Sequence, residues 1–133
     1  MDAGLFVSCG VRASGGQLCW GSNPPVSNAI FGDDVPHPAP VPVVTSSSFA
    51  TVRAGYAFAC GLEAGALECW GTNAPSGVLG NITMSKSATP RRLGPALTFT
   101  TFDVGTAGPC AIATDTRTYC WGGLRTSSAV AVR

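Results

Sequence analysis

Six cysteines are the side chains in this 133-residue sequence best suited to covalent or metal chemistry, and they fall into three evenly placed pairs. Cys9/Cys19, Cys60/Cys69 and Cys110/Cys120 have nine, eight and nine residues between partners. Such pairs can hold a metal, stay as buried thiols or join as disulfides. Structural zinc favours roughly two to four residues between paired ligands, often with histidine among them. Here the gaps are longer and His37 is the only histidine. An even count, a repeated spacing and a short chain favour disulfides over free thiols, although six cysteines allow many pairings. Each bond within a pair would close a loop of about ten residues and stabilise the fold by roughly 2.5–3 kcal/mol in the chain-entropy model. Disulfides imply an oxidising compartment, so the expected location is extracellular, secreted or at the cell surface.

No other constellation suggests catalysis. There is no Gly-x-Ser-x-Gly, no phosphate loop and no histidine beside a candidate nucleophile. Asp33-Asp34 is the only adjacent acidic pair, and a solvated turn is preferred there over a calcium site. The expectation is a non-enzyme with no catalytic residue, no cofactor and no metal.

What must position the cysteines is an internal repeat. Cys9, Cys60 and Cys110 lie 51 and 50 residues apart, and Cys19, Cys69 and Cys120 lie 50 and 51 apart. Gly4, Gly55 and Gly105 each precede the first cysteine of a pair by five residues. FATVRAG (49–55) aligns with FTTFDVG (99–105), and Pro40 and Val43 align with Pro90 and Leu93. Gly21/Asn23 matches Gly71/Asn73, and AIFG (29–32) matches VLG (78–80). A fixed period of about 50 residues signals solenoids, propellers or arrays. All three tryptophans occupy one tripeptide: Cys19-Trp20-Gly21, Cys69-Trp70-Gly71 and Cys120-Trp121-Gly122.

Glycine (17), proline (10) and Ser/Thr-rich joints leave little room for helix, and the apolar positions alternate in short runs broken at glycine. The predicted class is all-β. A hairpin that sets Cys60 opposite Cys69 puts its turn on Ala64-Gly65 and Leu62 opposite Leu67. The first hairpin turns about Ser14 beside Gly15-Gly16, the third about Asp115. Turn residues at the midpoint are what a hairpin requires. Opposed Cβ atoms lie about 4.5–5.5 Å apart against the ~3.8 Å of a disulfide, so modest adjustment closes the bond. The expected links are Cys9–Cys19, Cys60–Cys69 and Cys110–Cys120. A tryptophan next to a cysteine in a strand points to the other face, where it can pack on the neighbouring repeat. The glycine after it lets the backbone turn or approach closely. Cys-Trp-Gly reads as a structural clamp.

Eight basic and seven acidic residues give a net charge of +1. The arginines are scattered and Arg91-Arg92 reads as a solvated loop, so no nucleic-acid partner is expected. No run of about 18 apolar residues suggests a membrane span. MDAGLFVSCG is no secretory signal, so an upstream signal or a longer chain is expected and Met1 need not be the biological start. Asn81-Ile82-Thr83 is an N-glycosylation sequon in what reads as an exposed loop. VPHPAPVPV (35–43) reads as a polyproline-like linker between strands, and Ser/Thr at 45–48 are candidates for O-glycans.

Gly-x4-Cys, a short hairpin, Cys-Trp-Gly-x-Asn, an apolar-x-Gly and a later Pro-x-x-Val resemble the repeat of the regulator of chromosome condensation family. The paired cysteines make it most similar to the extracellular, crinkly-type versions of plant receptor kinases. The likeness spans nearly the whole chain and is strongest over 49–98; in the third repeat the asparagine is missing. It implies a β-propeller of about seven four-stranded blades, of which this chain supplies about 2.5–3. The expected repeats are 1–48, without its leading strand, 49–98, complete, and 99–133, truncated. The nuclear founder's nucleotide exchange on a small GTPase is not carried over, because the cysteines argue against a nuclear address and one fold hosts many functions.

Two functions remain: an extracellular module recognising a protein or glycan, and a structural subunit of an extracellular glycoprotein filament or wall. In the second, the tail AVAVR (129–133) would complete a neighbouring copy by strand addition.

Overall fold

The computed structural model describes residues 1–4, 6–21, 30–31, 35–73, 77–80, 86–122 and 130–132. Among them the chain forms twelve strands and no helix, in three four-stranded antiparallel sheets. Sheet 1 holds β1 (Asp2–Ala3), β2 (Val7–Val11), β3 (Gln17–Gly21) and β4 (His37–Pro42). Sheet 2 holds β5 (Thr51–Ala54), β6 (Phe58–Glu63), β7 (Ala66–Thr72) and β8 (Lys86–Leu93). Sheet 3 holds β9 (Phe99–Gly105), β10 (Gly108–Ala113), β11 (Thr118–Cys120) and β12 (Val130–Val132). Each is a meander in which strands adjacent in sequence pair in space.

The central hairpins set the registers. Leu62 faces Leu67 and Glu63 faces Ala66, leaving Ala64 and Gly65 as a two-residue turn with φ of 47° and 83°. Positive φ at both central residues is the mark of a type I′ turn, whose twist matches that of the strands. The flanking hairpins close after Val11 opposite Gln17 and Ile112 opposite Thr118.

The sheets stack face to face over two cores. One unites Val7, Cys9, Cys19 and Ile30 of the first repeat with Phe49, Val52, Ala59 and Trp70 of the second. The other unites Cys60, Leu67, Cys69 and Leu79 of the second with Phe99, Phe102, Ala111 and Trp121 of the third. A strand buries alternate side chains on opposite faces, so the middle sheet serves both cores.

Three expectations change. The first repeat has a leading strand, the two-residue β1, which pairs with Cys9 and Ser8. Asp2 holds it there by accepting a hydrogen bond from the Ala54 N–H of the next sheet at 2.9 Å. The third repeat is not open at its end: Val130–Val132 pairs with Thr118–Cys120. That segment therefore completes its own sheet and is not free to complete a neighbour's. A tethered strand meets its own sheet at high effective concentration. Residues 37–42, expected as linker, form β4 at the sheet edge.

Strand chemistry explains how so many prolines enter β4. Val43 N–H donates to the Gln17 carbonyl at 2.9 Å, so the odd-numbered residues turn their N–H groups toward β3. Pro42 therefore turns its missing N–H to the open side, and Pro38 and Pro40 fall where the register shifts between the pairs Cys19–Val41 and Gly21–His37, places where a sheet tolerates proline. Pro90 takes the same place in β8, since Cys69 faces Arg91 as Cys19 faces Val41.

Candidate functional site

The recurring feature is the Cys-Trp-Gly clamp, and it is built from strand geometry. Cys9 faces Cys19, Cys60 faces Cys69 and Cys110 faces Cys120 across the central hairpins. One position on, Trp121 N–H donates to the Pro109 carbonyl at 3.0 Å. The cysteines are therefore a non-hydrogen-bonded pair, the kind whose strands approach most closely. Their Cα atoms are 4.1, 4.0 and 4.1 Å apart and each pair is bonded through sulfur. Among the described residues no cysteine is free, and no three His, Cys, Asp or Glu side chains gather as a metal site.

The tryptophans point away from their own disulfides. Trp70 is fully buried in the core shared with Cys9 and Cys19 of the preceding repeat. Trp121 lies in the core shared with Cys60 and Cys69. Each interface thus sets the disulfide of one sheet opposite the indole of the next. Phe49 stacks on Trp70 with centroids 5.6 Å apart and planes 7° off parallel, while Phe99 meets Trp121 nearly edge-on at 5.6 Å. Gly61 makes room for Phe49, since a Cβ there would stand 2.4 Å from the ring. Trp70 Nε1 has no hydrogen-bond partner among the described residues. Leaving a donor unpaired costs about 1–3 kcal/mol, which the buried aromatic area offsets. Trp20 is only half-buried.

The glycine of the tripeptide is a close-approach residue. Gly71 has φ 115°, and a Cβ would lie 2.6 Å from the Ala57 carbonyl oxygen. Gly21 and Gly122 sit as tightly against Phe6 and Ala107. The register of β7 on β8 shifts between Cys69 and Gly71, as that of β3 on β4 does between Cys19 and Gly21. The tryptophan therefore rides on a β-bulge, a device that re-aims a side chain.

Three contributors escaped the sequence reading. Phe49 and Phe99 had been visible only as aligned positions. Asn73, buried, uses its Oδ1 to accept the Leu79 N–H at 2.7 Å, folding the loop so that Val78 and Leu79 plug the core. The Ser/Thr joint is pinned rather than loose. Ser47 Oγ donates to the Glu68 carboxylate at 3.0 Å, Gln17 Nε2 donates to the Ser47 carbonyl at 3.2 Å, and Ser48 N–H donates to Glu63. Beside it lies a polar hollow of about 210 Å³ lined by Arg12, Gln17, Thr45 and Ser46 to Ser48. Asn81 and Asp33-Asp34 lie outside the described residues.

At the third hairpin tip Asp115 accepts hydrogen bonds from Arg117 N–H at 2.9 Å and from the Tyr119 hydroxyl at 2.8 Å. The backbone bond from Arg117, then the Tyr119 hydroxyl, hold the Asp115 pKa below its ordinary value, and the same carboxylate raises that of Tyr119.

Solved structures share this architecture. Human WBSCR16 superposes with a TM-score of 0.79 at 17% identity, over 96% of this chain and 37% of that one. Yeast RCC1 (Prp20), in its complex with Kap60, gives 0.80 at 15% identity over 98% and 36%. The three sheets have the fold of blades in these RCC1-type propellers. The ectodomain of the Physcomitrella patens receptor kinase CR4 matches at 25% identity with a TM-score of 0.57, over 91% of this chain and 29% of that one. The chain spans about a third of the structures it matches. No protein-family model and no curated sequence matches it. Its three RCC1-like blades form an open arc, below the four or so that a closed propeller needs.

Proposed function

We propose that the chain is a non-enzymatic, extracellular protein-recognition unit built of propeller blades, with the Cys-Trp-Gly clamps as scaffold and the hairpin tips as the contact surface. One observation carries the reading: each of the three blades is stapled across its central hairpin. Such bonds persist in oxidising surroundings, and the likeness to a receptor-kinase ectodomain supports the same address. Propeller relatives serve protein partners: yeast RCC1 has been solved bound to Kap60, and Prp20p of Saccharomyces cerevisiae has binding properties toward Gsp1p and histones. The first and third tips expose Arg12, Ser14, Asp115 and Arg117. Loops on a rigid scaffold are the usual carriers of recognition.

A glycan is the second ligand class, favoured by the hydroxyl-lined hollow beside Arg12. Asn81 is assigned as an N-glycan acceptor if the source is eukaryotic, with exposed Ser46 and Ser48 as O-glycan candidates. The alternative role, a subunit of an extracellular filament or wall, is favoured by the open arc.

Non-reducing peptide mapping of native protein is the test. Links within each pair, with a mass shift at Asn81 removed by glycosidase, are expected; inter-repeat links or free thiols overturn the compartment. For recognition, cross-linking the oxidised chain to native cell surfaces should capture a partner, and Arg12→Glu with Arg117→Glu should abolish capture. Capture that survives both substitutions removes the tips from the reading.

A further inference from the structure

The two blade interfaces inside the chain define a rule, and the two outermost faces satisfy its halves. On the disulfide side of each blade, the same positions recur. Val11, Leu62 and Ile112 lie two residues past the first cysteine, opposite Gln17, Leu67 and Thr118. In the first two blades these residues pack on the tryptophan side of the following blade, and Gln17 and Leu67 are buried. In the third, no described residue of a following blade stands against them. Ile112 is 41% exposed, although its equivalent Leu62 packs against a core. Thr118, Cys110 and Cys120 are only half-buried. An apolar-lined hollow of about 240 Å³ opens there between Thr101, Asp103, Cys110, Ile112 and Thr118. Cavities of about 150 Å³ already take a benzene ring, so this one has room for an aromatic side chain. At the opposite end, Trp20 is the indole without a preceding disulfide to rest on, and Trp70 and Trp121 show where such an indole goes.

We infer that a second copy of this chain docks head to tail on the first, the Trp20 face of one copy seated on the Cys110–Cys120 face of the other. The contact continues the stacking already made twice within the chain, so the occupant is another Cys-Trp-Gly blade. It needs the blade architecture of the proposed function but not its ligand, and it does not use the tips. The interface is heterologous: different patches meet, and it repeats until a ring closes or a filament extends. By the blade alignment Asp103 then lies toward Asp2 of the next copy. Asp103 already faces Arg53 of its own chain at 3.9 Å and is 88% exposed, so a like-charge contact there opposes docking only weakly.

Sedimentation of the oxidised chain over a wide concentration range tests the inference. The weight-average mass should climb from one chain to two or more. Trp20→Ala and Ile112→Asp should each raise the dissociation constant at least about tenfold, as centrally placed interface residues do. Ile112→Asp changes an exposed site, so it serves even if Trp20→Ala folds poorly. Mixing the two variants is the sharper measurement. Each retains one good face, so the mixture should form dimers and nothing longer. A chain that stays monomeric to about millimolar concentration, association indifferent to both substitutions, or failure of the mixture to pair overturns the inference. Loss of tip-dependent capture with association intact would overturn the recognition role alone.

Discussion

The middle blade and the outer two carry the same tripeptide in different surroundings. Cys60, Cys69 and Trp70 are fully buried, whereas Trp20 of the first blade and Cys110 and Cys120 of the third are half-exposed. All three share the Cys…Cys-Trp-Gly frame, so the difference in burial is supplied by neighbours. That is the behaviour of a quasi-one-dimensional array, whose stability sums unit terms and nearest-neighbour terms. A motif of this kind is a half-interface, silent until another unit stands beside it.

The contrast can be broken by substitution, most strongly at the indoles. Trp70→Ala should destabilise the oxidised chain by about 3–5 kcal/mol, and Trp20→Ala in the monomer by about 1 kcal/mol or less, both read by denaturant melts. Equal losses would show that the tryptophans stabilise their own hairpins and not the interfaces. Next come the staples. Replacing Cys60 and Cys69 by alanine should cost about 3 kcal/mol. The Cys110–Cys120 bond closes a loop of similar length, so chain entropy alone predicts an equal loss for the same change there. A smaller one at the outer blade would assign part of the effect to burial.

The glycines sharpen the comparison further. Gly71→Ala forces a Cβ to 2.6 Å from a carbonyl oxygen and should cost about 2–3 kcal/mol. Gly15→Ala, at φ 81° with nothing within 4 Å, carries only the conformational penalty of about 1 kcal/mol. Thermal unfolding of the two variants distinguishes steric from backbone cost. The smallest effect belongs to the third tip. The lowered Asp115 pKa means its bonds to Arg117 and Tyr119 are present above the ordinary carboxylate range and lost as pH falls through the depressed value. The raised Tyr119 pKa adds a contribution present below the ordinary tyrosine pKa and lost as pH rises through the elevated one. Asp115→Asn should therefore move the Tyr119 titration downward in an NMR pH series; an unmoved titration would break the assignment.

Much of this was legible because the repeat supplies its own alignment. The all-β class, the meander and the turn at Ala64-Gly65 follow from period-two patterning with turn residues midway between cysteines. What escaped follows from geometry between units. Phe49 gives no local sign that it will stack on Trp70, because the contact depends on Gly61 having no side chain. Asn73 stood in a matched Gly-x-Asn, yet its bond to Leu79 closes a loop that propensity does not describe. Residues 37–42 looked like linker because proline opposes strands in general, and the rule fails at an edge where every second N–H is dispensable. The two-residue β1 is too short to carry a pattern. The pairing of Val130–Val132 with its own sheet was misread because a short apolar tail looks alike whether donated or kept.

The alternating prolines of β4, with Pro90 in β8, have a consequence for crowding. A sheet edge normally offers a template on which any extended peptide can grow. Here the outward rungs of the ladder are missing in the first blade and interrupted in the second, next to Arg91 and Arg92. Sideways recruitment is hindered along these two edges. An extended peptide meets few outward N–H groups along β4 and β8, so growth into amyloid-like sheets is opposed at these two edges.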